Sequence, residues 1–193
     1  IIDEANRLTT LVNAILDLSK LQSKTDITAN EEINVTELIE NIIKRNNELL
    51  TQTECTVKFE YNKDVYVFYE QSKLETIIYN FLSNAINYCG DDKTVIVRQT
   101  LEKEYVKISF IDHGIGIAKE HINDIWNRYY KINKNHDRKQ EGTGIGLAIV
   151  KSVLDRYGAE YGVESEEGKG SEFWFKLKIM DKNKEMEMKQ DEK

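Results

Sequence analysis

The sequence predicts a two-layer α/β sandwich, in which a mixed sheet of about five strands is covered on one face by three helices. From Ile33 onward, short runs rich in β-branched and aromatic residues alternate with longer runs of helical periodicity. Three helices can cover one face of a sheet, so we expect the other face to be partly solvated. The β-rich runs are residues 56–61, 65–69, 94–101, 105–111 and 173–179, and the helical runs are residues 36–50, 72–88 and 145–157.

Segments of different composition flank this domain, which we place at residues 33–180. Residues 1–21 carry leucine and isoleucine at alternating steps of three and four, which predicts a coiled-coil-type helix that packs on other helices. The polar residues 22–32 break that period and indicate a hinge. Residues 181–193 hold nine charges among thirteen positions and are expected to be disordered. A helical pattern already runs at Ile1, so we expect the chain to continue a longer protein.

Composition excludes several classes of function. The net charge of −7 would repel a phosphate backbone, so nucleic acid is not an expected partner. Cys55 and Cys89 form no Cys-x-x-Cys pair, which favours two thiols in a reducing compartment over a disulfide or a zinc site. No apolar run approaches the roughly 20 residues that cross a bilayer, and no signal-peptide pattern is present, so we expect these residues to be soluble.

Three asparagines lie in a row on the helix predicted over residues 72–88. Asn80, Asn84 and Asn87 follow steps of four and three along the border of an apolar stripe. Each costs roughly half a kcal/mol relative to alanine in a helix, so the row either serves a ligand or is a solvated face. The stripe itself consists of Leu74, Ile77, Ile78, Phe81, Leu82 and Ala85.

An acidic residue and two glycines follow the strand predicted over residues 105–111. Alternation places Asp112 on the same inward face as the apolar residues of that strand. A buried carboxylate needs a donor, which the amino group of adenine would supply, although an aspartate that caps a turn is an equal alternative. Gly114 and Gly116 let the backbone approach a flat base or adopt positive φ.

A second glycine cluster, residues 142–147, runs directly into the helix predicted over residues 145–157. Free amides and the helix dipole at that point suit a phosphate, and tight packing is the alternative. The preceding residues 127–141 are basic and have no evident helix or strand, which indicates a lid over a polyanion or else a solvated loop. Their basic residues are Arg128, Lys131, Lys134, Arg138 and Lys139, against two acidic ones.

Taken together, the order and spacing of these motifs resemble the Bergerat-fold ATPases, and within them the histidine kinases of two-component systems, over nearly the whole chain. Asn80 and Asn84 match the N box of that family. Residues 112–116 match its G1 box, residues 142–147 its G2 box and residues 125–131 its F box. The resemblance implies an ATP-binding catalytic domain that transfers the γ-phosphoryl group of Mg-ATP.

The resemblance also implies roles for single residues. Asn84, helped by Asn80, would coordinate Mg²⁺ on the triphosphate, and Asp112 would bind the adenine amino group. Tyr88 would pack beside the base, and Ser171 would support Asp112 or a water bound to it. The full set of implied ATP-binding residues is Asn80, Asn84, Asn87, Tyr88, Asp112, Gly114, Gly116, Ile117, Tyr129, Lys131, Arg138, Gly142, Thr143, Gly144, Ile145, Gly146, Leu147 and Ser171.

Three positions depart from the family pattern and put the affinity for nucleotide in doubt. Asn87 stands where the family usually has a phosphate-binding lysine. Trp126 replaces the usual phenylalanine of the F box, and His113 replaces a common asparagine.

The phosphoaccepting histidine is expected to lie outside this chain. Residues 1–21 resemble the second helix of the family's dimerisation and phosphotransfer hairpin, whose first helix carries that histidine and a proline, and this chain has no proline. His113, His121 and His136 do not combine an acidic neighbour with the helical setting of a phosphoacceptor, so none is given a nucleophilic role.

The expected partners are therefore ATP, the missing phosphotransfer helix, a second protomer in a homodimer, and the receiver domain of a response regulator. The chain would be the cytoplasmic domain of a membrane-anchored protein. Two alternatives stay open. One is another ATPase of the superfamily, such as a gyrase, a mismatch-repair protein, a heat-shock chaperone or an anti-sigma serine kinase. The other is a degenerate kinase that binds nucleotide only to switch helix packing.

Overall fold

The computed structural model describes residues 30–131 and 144–180. The predicted helix over residues 1–21, residues 22–29 of the predicted hinge and the predicted disordered tail over residues 181–193 lie outside this part of the chain. So does most of the predicted lid. The site and lid residues that fall outside are Lys134, Arg138, Lys139, Gly142 and Thr143, together with His136.

The centre of the fold is a mixed five-stranded sheet, which confirms the predicted α/β sandwich. Its strands are β2 (Thr56–Glu60), β4 (Thr94–Glu102), β5 (Tyr105–Asp112), β6 (Tyr161–Glu166) and β7 (Gly170–Lys178). They are arranged in the order β2-β4-β5-β7-β6. The β2–β4 pair is parallel and the other three pairs are antiparallel.

A second, two-stranded sheet pairs β1 (Glu31–Asn34) with β3 (Tyr66–Tyr69) in antiparallel register. The predicted run 65–69 is therefore a strand, but it belongs to this small sheet, and β6 takes the fifth place in the main sheet. Neither β1 nor β6 was predicted, because β1 is short and begins with two glutamates, and β6 is an edge strand with two glutamates and a glycine. β1 also begins two residues inside the predicted hinge.

Four helices are present in the described residues: α1 (Val35–Arg45), α2 (Asn47–Thr53), α3 (Gln71–Asn87) and α4 (Gly146–Tyr157). The helix predicted over residues 36–50 is thus divided in two. At the division, Nδ2 of the Asn46 side chain donates to the carbonyl of Ile42 at 2.7 Å, and the backbone N–H of Asn46 donates to the same carbonyl. At Asn46 the backbone leaves helical geometry, with a φ of −93° and a ψ of 15°, and α1 ends there.

The core lies between α3 and the inward face of the sheet. The predicted apolar stripe of α3 is confirmed, since each of its six members is at most 1% exposed. Phe81 lies at its centre, with ring centroids 5.6 Å from Phe110 of β5 and 5.6 Å and 6.0 Å from Phe173 and Phe175 of β7. Packing of this density fixes the position of α3, and so of the asparagines along its border, relative to the sheet.

Cys55 and Cys89 form a disulfide, so the prediction of two separate thiols is wrong. The residues are 34 positions apart in the sequence. Cys55 directly precedes β2 and Cys89 directly follows the cap of α3, and the parallel pairing of β2 with β4 brings these two places together. The spacing of the two cysteines in the sequence does not indicate that they are neighbours in the fold.

Within residues 30–131 and 144–180, none of the helices combines the length and the apolar character that a bilayer span requires.

Candidate functional site

The border of α3 presents amide side chains in three different states. Asn80 and Asn84 are half-buried and Asn87 is exposed. Nδ2 of Asn80 donates to the carbonyl of Thr76 at 2.7 Å, which leaves Oδ1 of Asn80 pointing away from its own helix. Nδ2 of Asn87 lies 3.4 Å from Oγ of Ser83. Asn84 makes no side-chain hydrogen bond within the described ranges, so its amide is available to a ligand.

Gly146 brings the start of α4 against the asparagine row. A Cβ on Gly146 would lie 2.5 Å from Oδ1 of Asn80, so only glycine allows this approach. The N-cap position of α4, Ile145, forms no capping hydrogen bond through its side chain. The first amides of α4 therefore lie beside the N-box asparagines, as the predicted phosphate site requires.

The other described residues of the second glycine cluster have structural roles. Gly144 has a φ of 69°, which is the left-handed region. Ile145 is 1% exposed and Leu147 is partly buried against the core. Contact of these two residues with a nucleotide stays a prediction.

Asp112 occupies the last position of β5 and points inward, as predicted. The residue is only 3% exposed. Its carboxylate accepts the backbone N–H of Gly114 at 2.9 Å and the backbone N–H of Ser171. Burial raises the pKa of the Asp112 carboxyl to about 6, although the two N–H donors act in the opposite direction. The inward position is what an adenine acceptor requires, and the retained N–H bonds keep the carboxylate oriented.

The loop after Asp112 packs on the C-terminal end of α3. A Cβ on Gly114 would overlap the carbonyl group of Tyr88, so this glycine permits contact between the two backbones. The Tyr88 side chain remains 39% exposed, beside that contact. Further along, Gly116 has a φ of 64°, and the N–H of Ile117 donates to Oγ of Ser165 at 2.8 Å. Ile117 is itself 7% exposed and packs in the core.

Ser171 supports Asp112 by its backbone rather than by its hydroxyl group. Its Oγ lies 3.0 Å from Oγ of Ser165, while its N–H reaches the carboxylate. Ser165 is therefore hydrogen-bonded to both Ile117 and Ser171, and it also donates to the carbonyl of Gly170 at 2.8 Å. Ser165 was not predicted as a site residue, because the strand that carries it, β6, was not predicted. The alternation of Tyr161 and Val163 is the only local signal that could have indicated this strand.

His113 and His121 have acidic partners that were not predicted from the sequence. Nδ1 of His113 lies 2.7 Å from Oδ2 of Asp92, and this hydrogen bond lowers the pKa of the Asp92 carboxyl. His121 lies in a single 3₁₀ turn (Lys119–His121), with Nδ1 2.7 Å from the Tyr130 hydroxyl and Nε2 3.6 Å from Glu120. Neither residue is on a long helix, so both remain without a predicted nucleophilic role.

The F-box segment, residues 125–131, packs on the core and on the start of the second described range. Trp126 stands edge-on to Phe81 at 6.4 Å and to Tyr161 at 5.1 Å, so the larger ring is accommodated in the core. Tyr129 has a φ of 63° and is 62% exposed, and its N–H donates to the carbonyl of Gly144 at 2.8 Å. Lys131 is exposed. The F box and the described end of the G2 box are therefore in direct contact.

Comparison with known proteins decides the family of this site. The profile described as "Histidine kinase-, DNA gyrase B-, and HSP90-like ATPase" matches residues 69–181, which include α3, Asp112 and α4. The chain belongs to this ATPase family. The predicted resemblance is thereby confirmed, and with it the assignment of the domain as an ATP-binding catalytic domain of the histidine kinase type.

Relatives of this ATPase domain among characterised proteins are sensor kinases. The chain is 34% identical over 177 residues to "Sensor histidine kinase WalK" of Bacillus subtilis, which covers 91% of the chain and 29% of WalK. It is 28% identical over 180 residues to "Sensor protein SrrB" of Staphylococcus aureus, which covers 92% of the chain and 30% of SrrB. The chain thus spans about 30% of the length of these relatives.

Solved structures share the fold of this ATPase domain. Full-length ShkA, crystallised in complex with AMPPNP, has a TM-score of 0.78 at 21% identity, over 92% of this chain and 37% of ShkA. The histidine kinase AdeS of Acinetobacter baumannii has a TM-score of 0.73 at 18% identity, over 93% of this chain and 82% of AdeS. The catalytic domain of the histidine kinase ThkA has a TM-score of 0.68 at 23% identity, over 78% of this chain and 96% of that domain.

Proposed function

We propose that this domain binds Mg-ATP and transfers its γ-phosphoryl group to a histidine on a phosphotransfer helix, from which an aspartate of a response regulator takes it. One observation carries the proposal. The buried carboxylate of Asp112 lies on β5, and α3, which packs on both β5 and α4, carries Asn84, whose amide is unpaired within the described residues. The first turn of α4 is the third member of this group. These groups match the base, the metal and the phosphates of one nucleotide.

The adenine end of the nucleotide is assigned to Asp112. Two backbone N–H groups already orient the carboxylate, so it has remaining lone pairs for an exocyclic amino group. A carbonyl at the same position of a purine, as in guanine, would face the carboxylate without a donor, which gives discrimination. Tyr88, Gly114 and Gly116 would border the base.

The residues present fit a magnesium ion. Asn84 has no competing side-chain hydrogen bond in the described part of the chain. Oδ1 of Asn80 lies beside Gly146 and accepts no hydrogen bond from the described residues. Amide oxygens together with phosphate oxygens are ligands that Mg²⁺ accepts. When bound, Mg²⁺ would neutralise charge on the triphosphate, and Asn84, with Asn80, would hold it.

The phosphates are assigned to the amides of Gly146 and Leu147 and to basic side chains of the lid. Phosphoryl transfer depends mainly on positioning and charge neutralisation, so a domain without its own nucleophile can supply most of the catalysis. Lys131 is exposed and free to turn towards the outer phosphates, and Arg138, Gly142 and Thr143 stay predictions of the same kind.

The remaining parts of the proposal concern the whole protein. The acceptor histidine would lie on the first helix of a hairpin whose second helix is residues 1–21, and that hairpin would form a homodimer. The ATPase domain would face the cytoplasm, and the whole protein would be anchored in the membrane. The sensor-kinase relatives support these proposals.

A mixing experiment tests the proposed reaction. The chain is combined with a separate fragment that holds the phosphotransfer hairpin, and ATP labelled at the γ-phosphate is added with Mg²⁺. We expect label on the fragment in an acid-labile, base-stable linkage, as phosphohistidine requires, and none on the chain alone. Confirmed ATP binding with no label on the fragment would refute the kinase function and favour a nucleotide-dependent switch.

Replacing Asn84 by alanine should remove the magnesium dependence of nucleotide binding. We expect the affinity for AMPPNP in Mg²⁺ to fall about tenfold or more, to near the value measured in EDTA, because the amide ligand is lost while the base site is intact. Titration calorimetry with and without Mg²⁺ gives both values. Asn62→Ala, in the exposed loop between β2 and β3, is the matched control and should keep the full magnesium effect.

Nucleotide affinity should fall as the pH is lowered through about 6. Burial raises the pKa of the Asp112 carboxyl to about 6 in the folded protein. The ionised carboxylate accepts a hydrogen bond from the adenine amino group with either oxygen, whereas the protonated carboxyl would present its own O–H to that donor. Well below that pH the affinity should decrease by about tenfold per pH unit. Calorimetry between pH 5 and pH 8 measures the profile.

Two controls isolate Asp112 in this profile. His113→Asn removes the histidine that is hydrogen-bonded to Asp92 and that acts electrostatically on Asp112, and we expect the decrease to persist in this variant. Tripolyphosphate, which has no adenine, reports the titration of phosphate groups in the same buffers and should show a weaker dependence. A profile that becomes flat in His113→Asn would contradict the assignment of the pH dependence to Asp112.

A further inference from the structure

The only two cysteines of the chain are bonded to each other beside the proposed nucleotide site. Cys55 is 6% exposed, at the entrance to β2. Cys89 is half-buried and therefore within reach of small solutes. The carbonyl of Ile86 lies 3.7 Å from Sγ of Cys55, so a buried Cys55 thiol would have a hydrogen-bond acceptor when the disulfide is reduced. Both oxidation states of the pair are thus accommodated by the fold.

The segment that carries Cys89 is in contact with the loop that follows Asp112. The carbonyl of Tyr88 lies where a Cβ of Gly114 would stand, and the carbonyl of His113 lies where a Cβ of Gly90 would stand. Asp92 is hydrogen-bonded to His113 at 2.7 Å. Residues 88–92 therefore pack along the G1 loop. We call this segment the wall of the proposed nucleotide site.

The segment that carries Cys55 is attached to the end of the same wall. The N–H of Thr56 donates to the carbonyl of Lys93 at 2.7 Å, and the N–H of Cys55 donates to the carbonyl of Leu50 at 3.1 Å in α2. The disulfide thus joins the wall of residues 88–92 to the junction of α2 and β2. Without the disulfide, the hydrogen bond of Thr56 would be the nearest remaining attachment.

We infer that Cys55 and Cys89 are a reversible redox-modification site that takes low-molecular-weight disulfides as co-reactants and adjusts the affinity for nucleotide. The inference rests on the proposed function, because the adjusted property is ATP binding at that site. Intracellular disulfides are uncommon, and those that occur are mostly transient or redox-sensing. A dithiol pair with one reachable sulfur beside a ligand site fits that use.

The chemistry is two successive thiol–disulfide exchanges. The Cys89 thiolate attacks one sulfur of the small disulfide, forms a mixed disulfide and releases one thiolate. The Cys55 thiolate then attacks Sγ of Cys89, forms the internal disulfide and releases the second thiolate. The two protons lost by the cysteines are taken up by the two released thiolates. The protein dithiol is oxidised by two electrons, and the small disulfide is reduced to two thiols.

Oxidation should tighten nucleotide binding. The disulfide tethers the wall of residues 88–92, so Tyr88 and the G1 loop lose less conformational entropy when the base enters. Reduction releases this tether and leaves the wall held by its packing on the G1 loop and by hydrogen bonds. We expect the reduced chain to bind AMPPNP about three- to tenfold more weakly.

The test compares the chain of residues 1–193 after equilibration with reduced or oxidised glutathione. Calorimetry with AMPPNP and Mg²⁺ gives the affinity, and mass spectrometry after alkylation under denaturing conditions counts the free thiols. In the reduced state we expect two alkylated thiols and the weaker affinity. In the oxidised state we expect no alkylated thiol, no glutathione adduct and the stronger affinity. Cys89→Ser, which removes the reachable sulfur, and the double variant Cys55→Ser/Cys89→Ser should each show the weaker affinity in both buffers.

The outcomes separate this inference from the proposed function. Equal affinity in two states that differ in thiol count would overturn the inference and leave the proposed function standing. So would a stable glutathione adduct in place of the internal disulfide, or a redox effect that survives in the serine variants. Absence of nucleotide binding in both states would instead overturn the proposed function.

Discussion

Asp112→Asn should weaken ATP binding by up to about a hundredfold while the protein stays folded. The carboxylate accepts hydrogen bonds from Gly114 and Ser171 and would accept a third from adenine. An asparagine has only one accepting atom, so its NH₂ group would face either a backbone N–H or the adenine amino group. The loss of a charged hydrogen bond costs about 3 kcal/mol at the upper end, which corresponds to about a hundredfold in affinity.

The stability of this variant should be preserved, which distinguishes a binding role from a structural one. Burial raises the pKa of Asp112 to about 6, so at pH 7.5 the folded state bears a cost for the ionised carboxylate that a neutral amide removes. We expect the free energy of unfolding in urea at pH 7.5 to be equal to or above that of the parent chain. Asp64→Asn, in the exposed loop before β3, is the matched control and should bind ATP normally. Undiminished affinity of Asp112→Asn would refute the adenine assignment.

Phe81→Ala should lower the free energy of unfolding by about 3–5 kcal/mol. The side chain has no exposed surface, and its ring lies within 6.4 Å of the rings of Phe110, Phe173, Phe175 and Trp126. Truncation leaves a cavity between α3 and the sheet that these rings can fill only in part. Domains of this size have about 5–15 kcal/mol of total stability, so the variant should be marginally folded at ambient temperature. Urea unfolding followed by circular dichroism measures the loss.

Tyr79→Ala provides the matched control for Phe81→Ala. Tyr79 is an aromatic residue on the same helix, two positions away, but it is 50% exposed. We expect its replacement to change the free energy of unfolding by no more than about 0.5 kcal/mol. Phe81→Ala should also weaken nucleotide binding, because α3 carries Asn80 and Asn84, whereas Tyr79→Ala should not. Similar losses of stability at both positions would contradict the assigned core.

The residues that the sequence predicted correctly are those whose environment is visible in a local period. Leu74 to Ala85 repeat at helical spacing, and burial of that stripe is a property of the helix itself. Asp112 continues the alternation of Val106, Ile108 and Phe110, so its inward direction follows from strand geometry. The order of the asparagine, aspartate and glycine motifs likewise required no knowledge of the fold.

The features that the sequence did not reveal are contacts between distant residues. Ser165 reaches Ile117 across 48 positions, and His113 reaches Asp92 across 21. The strands β1 and β6 contain too few apolar residues to be recognised alone, and pairing with β3 and β7 makes them strands. No period or motif within a short window encodes such partners.

The sequence by itself thus determined the family and the sandwich architecture, because motif chemistry and periodic burial are local properties of the chain. For the same reason it predicts which residues would meet a nucleotide. The tertiary structure alone decided how these residues are supported. It showed the close approach of Gly146 to Asn80, the backbone donation from Ser171 to Asp112 and the pairing of Cys55 with Cys89. Each of these depends on which elements become neighbours when the shared core closes, and that choice is made by packing over the whole domain.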